Sequence, residues 1–308
     1  MSSTKEIKNR INSIKNTQKI TNAMYLISTT KMRKAKLEYE RTKPFFDRLN
    51  SEFSCMLRYV DDVDNRYFYT REEKELTGGA GRESCAIFTI TADKGLAGSY
   101  NSNVIKETEH LMSRYKKVHL FVMGEYGRNY FHKHKIPIVE EYNYPALQPS
   151  LHIARKTAAA LLKGYDADQY RDVFIVYTNL SGLSEVVQRK RILPLNRRRF
   201  LEMDSKIGKQ LDRIEFYPSF NDVIDNVVPV YLSGFLYGAM VDSYSSEQNA
   251  RMTAMNNANE NAEDILANLS VEYNRVRQAA ITQEITEVAA GAKAIRNKKK
   301  KKPEVDEG

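Results

Sequence analysis

The residues most able to do chemistry stand in one short turn, Asp93-Lys94-Gly95-Leu96-Ala97-Gly98-Ser99-Tyr100-Asn101. It follows the apolar run Ala86 to Thr91 (AIFTIT), and the end of such a strand is where α/β folds commonly bind ligands. The chemistry to weigh there is phosphate binding. The turn lacks the GKS or GKT ending of a P-loop and is not a GxGxxG fingerprint. A tight strand-to-helix connection, with Asn101 or Ser102 capping the next helix, is the plainer reading. His110, His119, His132, His134 and His152 show no zinc-ligand spacing with carboxylates or thiols, and each is expected at the surface or in packing. Cys55 and Cys85 are far apart with no His cluster nearby; they suggest neither a metal site nor a disulfide and are expected to be free buried thiols. No nucleophile and base arrangement stands out, so no catalytic residue, cofactor or metal is expected of the chain alone.

These residues lie in a central segment built of alternating elements. Ala86 to Thr91, Val118 to Met123 and Val173 to Thr178 are β-branched and aromatic runs, separated by helical stretches near 101–115, 125–135 and 150–164. Strand and helix in alternation predict a parallel, Rossmann-like α/β sheet. A further strand pair is expected in Val186 to Leu195 and Arg213 to Tyr217. Residues 58–82 are polar and end in Gly78, Gly79 and Gly81, as a long surface loop would.

The two ends of the chain have a different texture. From Met1 to Lys43 there is no Gly or Pro, and a stripe runs Ile7, Ile11, Ile14, Gln18, Thr21, Tyr25, Ser28, Met32, Ala35, Tyr39. Steps of four and three average 3.5 residues, the repeat that keeps one seam toward a partner helix. Pro44 is a place for a kink, after which the pattern is expected to resume through Phe45, Leu49, Phe53 and Met56. Such a helix is roughly 60 Å long or more at 1.5 Å per residue. Between Gly238 and Gly291 neither Gly nor Pro occurs, and a second seam reads Met255, Ala258, Ala262, Ile265, Leu269, Glu272, Val276, Ala279, Gln283. A start near Tyr231 would make this helix on the order of 90 Å long. Gln18, Glu272 and Gln283 are polar seam positions suited to fixing register.

Charge separates the ends in the same way. Met1 to Lys43 holds eleven Lys and Arg against Glu6, Glu38 and Glu40, whereas residues 239–290 hold three Arg against eight acids. Oppositely charged segments suit two helices lying together better than a uniform phosphate-binding face, despite the net charge of +9. The fold class expected is therefore α/β, a long antiparallel coiled coil of the terminal helices plus the central domain. The divisions are 1–58 for the first helix, 59–220 for the central domain with its preceding loop, 221–296 for the last helix and 297–308 for a basic disordered tail. With no run of 18 apolar residues and no secretory block at its start, the chain is expected to be cytosolic or peripheral to a membrane.

Three segments together resemble one family, the gamma subunit of rotary ATP synthases. IKNRINSIKNTQKITNAMYLISTTKMRKAK is similar to its first helix, ITADKGLAGSYNSN to its central signature, and the stretch from SEQNARMTAM to RQAAITQEITE to its last helix. The resemblance implies a non-catalytic central rotor shaft. Its partners would be a hexameric ring of alpha and beta subunits, the epsilon subunit and the c-subunit ring, with no nucleic acid and no direct membrane insertion. The shaft would couple ion-driven rotation of the c ring to conformational cycling of the catalytic beta subunits, at the cytoplasmic face of the cell membrane. Arg251, Arg277, Gln278, Thr282 and Glu284 match the family residues that meet loops of beta, and Met24 with Lys31 and Arg33 matches the part of the first helix that passes the acidic lever segment of beta. The cysteine-pair insertion of light-regulated chloroplast members is missing. Two other readings predict different behaviour: a coiled-coil adaptor would bind a polyanion or acidic membrane through its N-terminal basic face, and an α/β enzyme using the GLAG turn would bind nucleotide without partners.

Overall fold

The structure is a computed structural model that describes residues 4–58, 65–68, 82–181, 184–196, 200 and 215–300. In order, the elements are α1 (Thr4–Met56), β1 (Arg82–Ile90), α2 (Tyr100–Met112), β2 (Tyr115–Met123), α3 (Glu125–Lys133), α4 (Leu151–Asp166), β3 (Asp172–Ser181), β4 (Ser184–Leu193) and α5 (Phe220–Lys300). The two terminal helices are 53 and 81 residues long. The chain divides into two compact units. One joins the described parts of 1–24 and 255–308, and the other spans Tyr25–Ala254.

In the first unit α1 and α5 run antiparallel. Gln18 Nε2 donates to Glu263 Oε1 at 3.2 Å, and one turn later Thr21 Oγ1 meets Asn259 Oδ1. A step forward on one helix is thus a step back on the other. The seam follows the stripe expected for α1: Ile7 is buried, and Ile11, Ile14, Gln18 and Thr21 are half-buried while their neighbours are exposed; Met24, outside that stripe, is half-buried as well. On α5 Met255 and Leu269 are buried, Ala258, Ala262 and Val276 half-buried, but Ile265 and Glu272 are exposed. Of the three polar positions expected to fix register only Gln18 crosses to the partner helix; Gln283 bonds its own helix at Glu287.

The second unit holds the sheet, in the order β2-β1-β3-β4. β1 pairs parallel with β2 and β3, as strand–helix alternation predicts. The expected partner of 186–195 is corrected. That strand, β4, pairs antiparallel with β3, while residues 215–217 form no strand and 213–214 lie outside the described residues. Side chains alternate across the sheet with the two-residue period of a strand. Phe88, Ile90, Phe121, Ile175 and Tyr177 enter one core with α4 and with Ala35, Phe53, Leu232, Leu236 and Met240 of the long helices. Ile87, Leu120, Val122, Phe174 and Val176 enter the other, with Val104, Ile105 and Phe131 of α2 and α3. The long helices are therefore part of the sheet's core and not an appendage to it.

Three local expectations change. α1 runs through Pro44, and beyond it the covered residue is Phe46, whereas Phe45 is 60% exposed. Continuing the three-four alternation from Tyr39 gives Thr42, Phe46, Leu49 and Phe53, so the proline adds no step to the seam. Phe46 meets α5 at Gly234, where a Cβ would lie 2.1 Å from its ring. Of the loop expected at 58–82, the described part 65–68 turns inward: Tyr67 and Phe68 are buried, and Tyr67 O accepts from Leu195 N at 2.7 Å. Burial and Asp166 push the Tyr67 hydroxyl up to about 12. The rest of that loop, and the side chains of the basic tail, lie outside the described residues. Part of α5 is long and apolar enough to cross a bilayer, yet 56% of that stretch is buried in the protein.

Candidate functional site

The turn after β1 is tied from several sides. Asp93 Oδ1 accepts from Glu125 N at 3.1 Å and Ala146 N at 3.0 Å. Asn101 does not cap α2; its Oδ1 accepts from Ala92 N at 2.9 Å, and its Nδ2 donates to Lys94 O at 3.5 Å. Ser102 is not the cap either, since its hydroxyl donates to Ser99 O at 2.9 Å. Leu96 and Gly98 take φ values of 62° and 54°, which let the chain double back within the turn.

Arg251 of α5 closes this arrangement. Its Nη1 donates to Glu247 Oε1 at 2.6 Å, and its Nη2 donates to Lys94 O at 3.4 Å and Gly95 O at 3.2 Å. Both side chains of the ion pair are about nine-tenths buried, at 10% and 8% exposure. Nearby, the hydroxyls of Tyr100 and Ser243 bond at 2.7 Å, while Ala92, Ala97, Tyr100 and Ala250 share a small apolar core. Burial pushes the Glu247 carboxyl up and Arg251 pulls it down; burial likewise pushes the Tyr100 hydroxyl up. A phosphate is held by converging N–H donors. Here two carbonyls converge on a guanidinium, so the turn serves to join the sheet to α5.

This placement changes one residue of the expected partner set. Arg251 is directed into its own unit. Glu247 and Tyr100, which complete the tie, were not singled out from sequence, although Glu247 and Arg251 stand at the i,i+4 spacing of a helical ion pair. Met24 is half-buried, and Lys31 and Arg33 are exposed on α1. Arg277, Gln278, Thr282 and Glu284 fall on the stretch of α5 from Arg277 to Arg296, in which every residue is exposed. Helical spacing sets Arg277, Ile281, Glu284 and Val288 along one line, with Gln278, Thr282 and Ile285 beside it. Ile281, Ile285 and Val288 are 46%, 64% and 73% exposed. That face combines polar groups with uncovered apolar ones.

The remaining reactive side chains have structural places. His110 lies by Glu107 and Arg114, His132 by Glu140, and His134 stacks on Tyr130 at 4.1 Å. His119 packs on Tyr170, and burial lowers its basicity. Cys85 is buried as expected, whereas Cys55 is only half-buried. Among the described residues no group of three or more His, Cys, Asp or Glu is arranged to hold a metal ion.

Comparison with known proteins agrees with these features. The sequence model of the family described as ATP synthase matches residues 3–295. The ATP synthase gamma chain of Acetivibrio thermocellus is 39% identical over 296 residues, covering 94% of this chain and 98% of that protein. The sodium ion specific ATP synthase gamma chain of Acetobacterium woodii is 33% identical, with the same coverage of 94% and 98%. In fold, the chain is similar to one in the Euglena gracilis mitochondrial ATP synthase OSCP/F1/c-ring structure, with a TM-score of 0.64 at 16% identity over 99% of this chain and 98% of that one. A chain of the Tetrahymena thermophila mitochondrial ATP synthase central stalk and c-ring gives 0.53 at 20% identity, covering 78% of this chain and 99% of that one. The chain belongs to the ATP synthase gamma chain family.

Proposed function

We propose that this chain is the central rotor shaft of an ATP synthase. It turns with the membrane c ring, and its uneven surface drives the beta subunits of the surrounding alpha and beta ring through states of different nucleotide affinity. Each state is favoured only as far as the shaft contacts it better than the others, which is the general condition for biasing a conformational equilibrium. The chain itself is non-catalytic, and it works as a peripheral subunit at the cytoplasmic face of the cell membrane, with epsilon and the c ring as its other partners.

The observation that carries this reading is the end of α5. A helix of 81 residues exposes every residue from Arg277 to Arg296, including the branched apolar side chains Ile281, Ile285, Val288 and Ile295 on one face. Exposed apolar rows edged by polar groups are surfaces that other chains cover. On that face Arg277 and Glu284 suit charge-assisted bonds to beta loops, and Gln278 and Thr282 suit neutral ones. Met24, Lys31 and Arg33 supply an apolar and basic contact for the acidic lever segment of beta.

The test is reconstitution with alpha and beta subunits. Adding the chain should produce a defined complex with altered ATPase activity, and Gln278→Leu should lower its turnover about tenfold, the effect of losing one central interface contact. Gln278 is exposed, so the melting temperature of the free chain should not move. No complex, or full turnover in the variant, would contradict the shaft reading or the contact respectively.

A further inference from the structure

A cavity of the Tyr25–Ala254 unit lies away from the tied turn, in a cleft between α1, α5 and residues 145–153. Its volume is about 670 Å³, within the range of roughly 300 to 1,000 Å³ typical of small-molecule sites. Apolar side chains from all three elements form its walls: Ala35, Tyr237, Val241 and Tyr244 on the long helices, Leu147 and Ile153 opposite. Ala35, Tyr237, Val241 and Tyr244 also belong to the main core, so this floor is rigid. Leu147, at the lip, is 52% exposed.

The charges are few and confined to one wall. Lys31, Lys34 and Glu38 follow one another at helical spacing along α1. Lys34 and Glu38 form an i,i+4 pair at 4.0 Å with 72% and 50% exposure, a geometry that solvent largely screens. Two ammonium groups against one carboxylate leave the rim with a single excess positive charge. We infer that this cleft binds an amphipathic organic monoanion, with its apolar body on the tyrosines and its carboxylate, sulfonate or phosphate ester at Lys31 and Lys34. The occupant would touch both long helices and the 145–153 segment at once, and so would stiffen their packing.

Binding is measured on the full free chain with 1-anilinonaphthalene-8-sulfonate, using its uncharged parent N-phenyl-1-naphthylamine as the control. The sulfonate should saturate one site by fluorescence titration. The exposed-residue variant Lys31→Ala/Lys34→Ala should weaken the sulfonate about tenfold and the neutral dye less than about twofold, since only the charge interaction is removed. Leu147→Glu, also at an exposed position, should weaken both, the sulfonate more. Circular dichroism unchanged from the parent chain verifies that each variant is folded. Lack of a saturable site, or a sulfonate affinity that neither variant alters, would overturn the inference. Equal weakening of both dyes by the lysine variant would make the cleft an apolar groove for a protein segment and would also overturn it.

Discussion

A guanidinium shared between a carboxylate and two main-chain carbonyls fixes three groups with one side chain. In this protein the three groups are the Glu247 carboxylate one turn earlier on α5 and the Lys94 and Gly95 carbonyls, so Arg251 ties two pieces of chain, α5 and the turn. The pair is buried, so each charge depends on the other. Removing Arg251 as Arg251→Met should destabilise the chain by roughly 3 to 5 kcal/mol at neutral pH, the usual effect of stranding a buried charge. The pH dependence has a definite sign. Burial already raises the Glu247 carboxyl above its ordinary 4.5, and without Arg251 it rises further, reinforced by Asp93 and opposed by Lys31 and by the Gln248 amide that donates to it at 3.3 Å. The folded chain then holds a proton that the unfolded chain releases, so stability falls as pH rises through the window above 4.5. Denaturant unfolding between pH 5 and pH 8 should show this slope in Arg251→Met and lose it in Arg251→Met/Glu247→Gln. A flat profile in the single variant would mean that Glu247 finds another partner. None of this burial was legible in the sequence, because an arginine four residues after a glutamate on a polar helix looks the same whether solvent or a sheet lies above it.

At the scale of the helices, the seam carries the packing and one glycine sets its closest approach. Gly234 admits the Phe46 ring to a distance at which a Cβ would collide with three of its atoms, the nearest at 2.1 Å. Alanine is the better helix former by about 1 kcal/mol, yet Gly234→Ala should destabilise the protein by roughly 1 to 3 kcal/mol, as overpacking does. Phe46→Val combined with it should recover part of that loss; thermal melts of the three variants are the check. The α1 seam was readable in advance because a strict 3.5-residue repeat has one geometric solution. Phe46 was missed because Pro44 invited a restart of the pattern, while the helix in fact continues through it. The α5 seam is readable only to Val276, since beyond it the same periodicity continues with no described residue of this chain covering it. Strands behave likewise: β1, β2 and β3 follow from their apolar runs, but the antiparallel pairing of β4 with β3, which ends at Ser181 and Ser184, is not read from an apolar run.

For the whole molecule, function follows from two properties: a surface left uncovered at the end of α5, and a sheet whose core includes the long helices. The first, on the proposed reading, is the uneven surface that the surrounding subunits grip. The second joins the α/β domain to α5 through packed side chains and the Arg251 tie, so that a push on the domain reaches the helix. The family was legible from the motifs RQAAITQEITE and ITADKGLAGSYNSN. The residue types alone do not tell the exposure of Arg277 and Gln278 from the burial of Arg251, because the latter depends on the turn at Lys94 and Gly95 that packs over it. The central claim is mechanical, and one measurement tests it directly: reconstitute the chain with alpha and beta subunits, fix the ring to a surface, attach a label at the exposed Lys133 of α3, and watch it while ATP is hydrolysed. The shaft account predicts unidirectional rotation of the label in steps whose frequency follows the ATPase rate. ATP hydrolysis by the complex with a stationary or randomly reorienting label would contradict it.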